Sequence, residues 1–268
     1  MLLDGQLRME AHNAEVVDSF RPWFFVVDGT EMYPKYSPVP AAVFALGKLV
    51  GGFRVALAAV AFANAFLVYL IVREGFDSLT AVTASSVLAV SPFFLINSSI
   101  FLPYATTTAF NLVFAFGYIR TVWGSRHRRA YAALAGVAIG TAFFSRPYTA
   151  VVFASPFIVH SLYVLYSELG DGFRDEFVNY SVISFFGVAG VAVTLGYNAI
   201  MTGSPLVFPY LEFAPHDGIG FGRRAILGYD RIYTPELGLR ANAPCGISQP
   251  NGVRQASWVR DLPSSAAC

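Results

Sequence analysis

The stretch from Ser78 to Ile119 constrains the fold of this chain most, because it contains no Asp, Glu, Lys or Arg. A helix rises about 1.5 Å per residue, so about 20 apolar residues cross a hydrocarbon core of roughly 30 Å. The turn residues Asn97-Ser98-Ser99 and Pro103 divide the stretch into segments 79–96 and 104–119. The stretch therefore predicts two membrane-spanning helices joined by a short turn.

The rest of the chain extends this pattern, since 55% of its residues are hydrophobic and only 13% are charged. Lipid offers the backbone no hydrogen-bond partners, and the apolar runs are too long and too unalternating for barrel strands. We therefore predict an all-α, polytopic membrane helix bundle with an outer-face amphipathic loop lobe at residues 1–52, in which residues 39–50 form a short juxtamembrane helix. Its partner is the lipid bilayer. Nucleic acid is not expected, because the net charge is only +1. The predicted spans are residues 53–72, 79–96, 104–119, 130–145, 148–166 and 179–201.

Sidedness follows from the densest basic segment, residues 120–129, which lies directly between two apolar runs. The positive-inside rule places this loop in the cytoplasm of a multi-pass cell-membrane protein. Counting spans from that loop places residues 1–52 and 202–268 outside, together with Arg146 at the end of its span. The charged loop 168–176 is then cytoplasmic although it is acidic on balance, because acidic residues contribute little to the rule.

The most distinctive part of the predicted outer lobe is Tyr33-Pro34-Lys35-Tyr36, which holds one of only two lysines in the chain. A cation placed there, just before the membrane, can meet an anion at the bilayer surface. Lys35 could equally be an interfacial anchor beside Tyr33 and Tyr36, and Arg146 could extend its side chain to the interface. Asp28-Gly29 indicates a turn.

Beyond the last span, residues 202–243 form a predicted outer segment and residues 244–268 an aperiodic tail that we expect to be disordered. Glycines beside Arg223 and Arg224 permit tight turns and suit a loop that faces an anion. Asp217 is the acidic residue close to these two arginines in the sequence. The alternative is that these residues form only a surface ion pair, which contributes about 0 to 1 kcal/mol to stability.

Polar side chains inside the predicted spans indicate contacts between helices. His160 is interpreted as a neutral imidazole hydrogen-bonded between helices, although an ionisable residue in a span is also a candidate functional group. Asn64, Asn111 and Asn198 are interpreted as interhelical hydrogen-bonding residues.

The order of several motifs resembles polyprenyl-phosphate-dependent glycosyltransferases of the C-type fold, which include protein O-mannosyltransferases and lipid A aminoarabinose transferases. The likeness covers roughly residues 1–243 and is closest to archaeal members. Its motifs are individually loose, and their order carries the resemblance. They are Leu2-Leu3-Asp4-Gly5, Tyr33-Pro34-Lys35-Tyr36-Ser37-Pro38, Gly51-Gly52-Phe53-Arg54, Phe143-Phe144-Ser145-Arg146-Pro147, Tyr197-Asn198, Phe208-Pro209-Tyr210 and Asp217-Gly218-Ile219-Gly220-Phe221-Gly222.

The resemblance implies transfer of a sugar from a polyprenyl-phosphate donor to an acceptor on the outer face. Lys35 matches the lysine of the family's first outer loop and becomes the first candidate phosphate ligand, with Arg146 second. Tyr33, Tyr36, Asp217, Arg223 and Arg224 complete the implied substrate-binding set. The cofactor is left open, a divalent cation being one option.

The chain also departs from the family pattern. The family's base is an aspartate after a helix that precedes the Leu2-Leu3-Asp4-Gly5 element, where this chain begins. Pro34 stands where the family has an acidic residue, and the family's aspartate near the start of a later helix has no counterpart at Tyr104. We therefore expect a fragment, truncated or frameshifted at its C-terminal end as well. The acidic residues left in the outer lobe to serve as a base are Asp4, Asp18, Asp28 and Glu31. Of these, Asp28 is the candidate for a catalytic or sugar-binding group.

Two other functional classes stay open. A non-catalytic subunit that binds lipid phosphate fits a chain without the family's base. A transporter would fit broken apolar segments with polar residues, but transporters of this kind show paired halves, and no such pairing is found.

Overall fold

The structure is a computed structural model and describes residues 7–10, 24–124, 126–167, 173–216, 220–226 and 229–241. The protein is mostly helical, as the sequence predicts. Two small antiparallel sheets are a departure from the all-α prediction. The chain divides into two units, Met1–Phe213 and Ala214–Cys268, which are described separately.

A three-stranded sheet lies in the described part of the lobe before Pro38, where an irregular loop was expected. Its strands are β1 (Met9–Glu10), β2 (Phe25–Asp28) and β3 (Glu31–Pro34), in the order β1-β3-β2. Val26 pairs with Tyr33 across the β2–β3 hairpin, and both side chains are buried. The predicted Asp28-Gly29 turn is confirmed, with Gly29 at a φ of 60°. Glycine reaches this left-handed conformation without a steric penalty.

The first four helices are α1 (Pro38–Val50), α2 (Phe53–Gly75), α3 (Ser78–Val90) and α4 (Pro92–Ser99). The segment 79–96, predicted as one span, is bent by 62° between α3 and α4. Pro92 begins α4, and proline, which lacks a backbone N–H, is suited to the first position of a helix and not to its interior. Asp77 caps α3 by accepting hydrogen bonds from the backbone N–H groups of Leu79 and Thr80. The Thr80 hydroxyl is the largest cause that lowers the pKa of Asp77.

The next four helices are α5 (Pro103–Trp123), α6 (Arg128–Ser145), α7 (Pro147–Ser167) and α8 (Phe173–Thr202). Each occupies one of the apolar segments singled out in the sequence. α8 begins earlier than expected, so residues 173–176 of the predicted charged loop are helical. A short helix, α9 (Pro209–Phe213), ends the first unit.

Among the described residues, α2, α7 and α8 are long and apolar enough to cross a membrane, and the bent pair α3–α4 could form a fourth span. The central helices α5 and α6 fall outside that criterion because α5 carries threonines and Asn111 and α6 begins with two arginines. Both have many buried residues, because they pack against their neighbours along much of their length. A helix surrounded by other helices needs less apolar surface than one surrounded by lipid.

The helices alternate between two ends of the bundle. At one end, the lobe end, Ser37 lies against Ser145 and Arg8 contacts the last turn of α8. At the other, the arginine end, Arg120 pairs with Glu74 and Arg128 pairs with Glu176. The arginines near the two ends of the predicted 120–129 loop, Arg120 and Arg128, are therefore both ion-paired with a glutamate.

The tightest helix contact in the unit is between α6 and α8. Gly136 and Gly140 of α6 face α8 so closely that a Cβ on Gly136 would lie 2.6 Å from the Ile183 carbonyl oxygen. Small residues let helix backbones approach in this way inside a membrane. The neighbouring core packs Phe114 and Tyr118 of α5 against α6, α7 and α8.

The predicted polar contacts between helices are confirmed for two of the four residues. Asn64 Nδ2 donates to the Ala105 carbonyl oxygen at 3.0 Å, joining α2 to α5. His160 Nδ1 lies 2.8 Å from the Tyr118 hydroxyl, joining α7 to α5. The prediction for Asn198 is wrong, because its Nδ2 donates to the Pro205 carbonyl oxygen and holds the turn after α8. Asn111 is buried, and its Oδ1 accepts no hydrogen bond from the described residues.

The second unit contains a hairpin of β4 (Gly222–Ile226) and β5 (Tyr229–Tyr233), followed by α10 (Pro235–Ala241). Arg223 pairs with Ile232 and Arg224 with Arg231 in the register of this hairpin. The predicted tail, 244–268, lies outside the described residues.

Candidate functional site at the lobe end

Lys35 lies inside an aromatic cage made by Phe24, Tyr36, Tyr210 and Phe213. Its Nζ is 4.4 Å from the ring centroid of Phe213, 4.7 Å from that of Tyr210, 4.8 Å from that of Phe24 and 5.2 Å from that of Tyr36. The side chain is only 4% exposed. Ring faces carry a negative quadrupole that attracts a cation, so the cage replaces part of the lost hydration. The sequence predicted a cation at the bilayer surface, whereas in the structure the Lys35 ammonium is buried among four aromatic rings.

The backbone explains how the cage closes. Lys35 N donates to the Phe24 carbonyl oxygen at 3.0 Å, which extends the β2–β3 pairing by one residue. Side chains two residues apart on a strand point to the same face, so Tyr33 and Lys35 both project toward α9. Tyr33 is fully buried, and its hydroxyl donates to Glu212 Oε2 at 2.6 Å. Burial, followed by that hydrogen bond, raises the pKa of Tyr33, so the phenol stays neutral.

Arg8 ties the sheet to the end of α8. Its guanidinium donates to Glu31 at 2.7 Å and to the carbonyl oxygens of Ile200 and Met201 at 2.9 Å each. The last carbonyls of a helix have no partner within the helix and carry partial negative charge, so a cation stabilises them. The hydrogen bond with Glu31 is the largest cause that raises the pKa of Arg8. Arg8 therefore fixes the sheet on the lobe end.

Arg146 lies directly after α6 and before Pro147, at the lobe end. Its guanidinium carbon is 4.4 Å from the ring centroid of Tyr104, at the start of α5. It forms no ion pair or side-chain hydrogen bond with any residue that the structure describes. A half-buried guanidinium without a carboxylate partner remains available for a phosphate, which it can bind in a bidentate manner.

Hydroxyl contacts join Arg146 to the segment that carries Lys35. Ser145 Oγ lies 2.7 Å from Thr107 Oγ1, which connects α6 to α5. Ser37 Oγ lies 3.5 Å from the Ser145 carbonyl oxygen, at the limit of a hydrogen bond. The structure thus brings the two predicted cations to the same end of the bundle, Lys35 in its cage and Arg146 beside Tyr104.

An apolar groove of about 380 Å³ runs along α7 on the side facing α8. Its walls come from α5, α6, α7 and α8. Along α7 it extends from Ala150 to Leu165, which is about 22 Å at 1.5 Å per residue. Phe143 and Ala150, the lining residues on either side of Arg146 in sequence, place the start of the groove near the lobe end.

The acidic candidate Asp28 lies at the tip of the β2–β3 hairpin. Its carboxylate is 4.0 Å from the Arg8 guanidinium and is mostly exposed. Asp28 therefore belongs to an ion-paired turn at the hairpin tip. Among the described residues, no three His, Cys, Asp or Glu side chains come together as a metal site.

The remaining candidates belong to the second unit. Asp217 lies outside the described residues. Arg223 is exposed on β4, and Arg224 is the next residue of that strand.

Several residues of the lobe end were not identified from the sequence. Glu212, Tyr104, Phe24 and Phe213 carried no motif of their own, although Tyr210 belonged to the Phe208-Pro209-Tyr210 element. Only the folding of α9 onto β3 brings Glu212 to Tyr33, across 179 residues of sequence. A single sequence contains no local signal for such a contact.

No family model, curated protein or solved structure matches the chain. The likeness to glycosyltransferases therefore stands on the residues quoted above, and the function is argued from the geometry.

Proposed function

We propose that this chain is a fragment of a polytopic membrane glycosyltransferase that uses a polyprenyl-phosphate-linked sugar donor. In this proposal α2, the bent pair α3–α4, α5, α6, α7 and α8 each cross the bilayer. The lobe end faces outward and the arginine end faces the cytoplasm, in keeping with the positive-inside rule. Transfer to the acceptor then takes place at the lobe end.

The observation that carries the proposal is the guanidinium of Arg146, which has no ion-pair partner among the described residues and lies at the end of the bundle where Phe143 and Ala150 line the apolar groove. A polyprenyl phosphate has an anionic head and a long hydrocarbon tail, so it needs a cation at the interface and an apolar surface below it. Arg146 supplies the first. The groove, about 22 Å long beside α7, supplies the second.

The same arrangement suits the reaction. When the bond between the sugar and the phosphate breaks, negative charge develops on the departing phosphate oxygen. A preorganised cation stabilises that charge more than it stabilises the intact donor, and this difference lowers the barrier. Arg146 is the more accessible cation, whereas Lys35 reaches the phosphate only if its aromatic cage opens.

A second candidate function is binding of the lipid phosphate without transfer. The observation that favours it is the pairing of Asp28 with Arg8, which leaves the predicted base engaged at the hairpin tip. Both candidates share the phosphate site, and they differ in whether a sugar leaves the donor.

Binding and transfer are tested together with the purified chain in lipid nanodiscs that contain a polyprenyl-phosphate-linked sugar. Arg146→Gln should weaken donor binding at least about tenfold, since a hydrogen bond to a charged group contributes roughly 1.5–3 kcal/mol. Arg129→Gln is the matched control, because Arg129 is exposed at the other end of the bundle. Equal binding by Arg146→Gln and the unmodified chain would overturn the site. Binding without sugar transfer by the unmodified chain would favour the second candidate.

A further inference from the structure

We propose that Glu212 is the general base that activates the acceptor, an inference that rests on the proposed glycosyltransferase function. Neither the motif order nor the resemblance pointed to this residue. Three features of the lobe end support this role: the geometry of the Glu212 carboxylate, its position relative to the two cations, and the ion pairs and exposure of the other carboxylates.

The carboxylate of Glu212 is held by one oxygen and open at the other. Oε2 accepts the 2.6 Å hydrogen bond from the buried Tyr33 hydroxyl, which fixes the side chain. Oε1 accepts no hydrogen bond from any residue that the structure describes, and the residue is exposed. A base needs such an oriented oxygen within reach of an incoming hydroxyl.

The position of Glu212 follows from the cluster beneath it. Tyr33, Tyr197 and Met201 form a buried cluster against which Phe144 and Phe213 pack. Glu212 immediately precedes Phe213, and Arg146 follows Phe144 by two residues. The carboxylate and the phosphate-binding cation are thus attached to the same cluster at the lobe end.

The neighbours of Glu212 on α9 strengthen its assignment to the site. Tyr210 and Phe213, which flank it, are two of the four rings around Lys35. The segment that positions the carboxylate therefore also encloses the lysine that the resemblance implies as a phosphate ligand. α9 has only five residues, so these contacts set its orientation.

The other described carboxylates of the lobe are less suited to the role. Glu31 is ion-paired with Arg8 at 2.7 Å, and Asp28 lies 4.0 Å from the same guanidinium. Glu10 is exposed on β1, where it pairs with Glu31 across the sheet. Glu212 differs because its orienting partner is a neutral phenol, which leaves the negative charge uncompensated by a cation at that contact.

The reaction balances with the groups named. The acceptor hydroxyl oxygen attacks the anomeric carbon of the sugar and forms the new glycosidic bond, while its proton passes to Glu212 Oε1. The bond between the anomeric carbon and the phosphate oxygen breaks, and the electron pair leaves with the polyprenyl phosphate beside Arg146. No oxidant, reductant or further co-reactant is needed.

Glu212→Gln tests the assignment, because the amide oxygen can still accept the Tyr33 hydrogen bond while the side chain can no longer take a proton. We expect sugar transfer to fall at least about 100-fold, in the range usual for loss of a general base. Donor binding and the thermal unfolding temperature should be unchanged.

Glu10→Gln is the matched control, since it removes an exposed carboxylate from the same lobe. Transfer by Glu212→Gln at the rate of the unmodified chain would overturn the assignment while leaving the glycosyltransferase function standing. If the unmodified chain binds the donor and transfers no sugar, the proposed function fails, and the base role fails with it. Loss of transfer in both variants alike would also contradict a specific role for Glu212.

Discussion

At the scale of single residues, Lys35 is the clearest case in which chemistry depends on the fold. Burying an ammonium without compensation is costly, and Lys35 is 4% exposed. Four ring faces within 5.2 Å of its Nζ supply part of the compensation. The lysine therefore holds the hairpin, the segment after it and α9 together, whatever further role it has toward a phosphate.

The two lysines of the chain allow a direct test of this role. Lys35→Met keeps most of the side-chain volume and removes the charge, so we expect a loss of roughly 1–2 kcal/mol of stability from the lobe. Faster hydrogen exchange at residues 24–36 and a lower thermal unfolding temperature in detergent would report the loss. Lys48→Met is the control, because Lys48 is exposed at the end of α1. Equal effects of the two substitutions would show that the cage contributes nothing.

The sequence predicted which residues lie at the lobe end better than it predicted their surroundings. Tyr33, Lys35 and Arg146 come to one end of the bundle, as the motif order and the counting of spans suggested. The enclosure of Lys35 could not be predicted, because Tyr210 and Phe213 approach it only after α8 has returned the chain to the lobe end. Glu212 was missed for the same reason.

At the scale of elements, proline sets most helix starts and glycine sets the closest helix contact. Prolines begin α1, α4, α5, α7, α9 and α10. Proline is favoured there because the first N–H of a helix has no partner to lose. The starts of α1, α5 and α7 were therefore readable from the sequence to within one residue. The bend between α3 and α4 was missed, because the apolar run continues without interruption through Pro92.

Two glycines of α8 provide a matched pair of substitutions. A Cβ on Gly190 would lie 2.6 Å from the carbonyl carbon of Gly140, and neither backbone can move without separating α6 from α8. We expect Gly190→Ala to reduce stability by about 1–3 kcal/mol, as overpacking usually does. Gly196→Ala should have little effect, since nothing lies within 4 Å of the added Cβ. Thermal unfolding in detergent measures both, and a harmless Gly190→Ala would contradict the close packing.

At the scale of the whole first unit, the two ends differ in chemistry. The arginine end is built from ion pairs, Arg120 with Glu74 and Arg128 with Glu176. The lobe end has the caged Lys35 and the unpaired Arg146, with Glu212 on the same cluster. The alternation of helices between these ends was predictable from apolar runs and turn residues. The small sheet was not, because strands of two to four residues carry too little pattern.

Single-cysteine labelling tests which end faces outward. After Cys245 and Cys268, the two native cysteines, are replaced by serine, Glu10→Cys marks the lobe end and Arg126→Cys marks the arginine end. Both positions are exposed. A membrane-impermeant maleimide should label Glu10→Cys on intact cells and should label Arg126→Cys only after permeabilisation. Labelling of both from the same side would contradict the proposed topology.

The contact between Arg8 and the end of α8 also orders events during synthesis. Arg8 and Ile200 are 192 residues apart in the chain, so their hydrogen bond can form only after α8 has left the ribosome. At roughly 5–20 residues per second, the sheet waits on the order of ten seconds or more for its attachment point. During biogenesis the sheet therefore reaches this attachment point only after α8 has been synthesised.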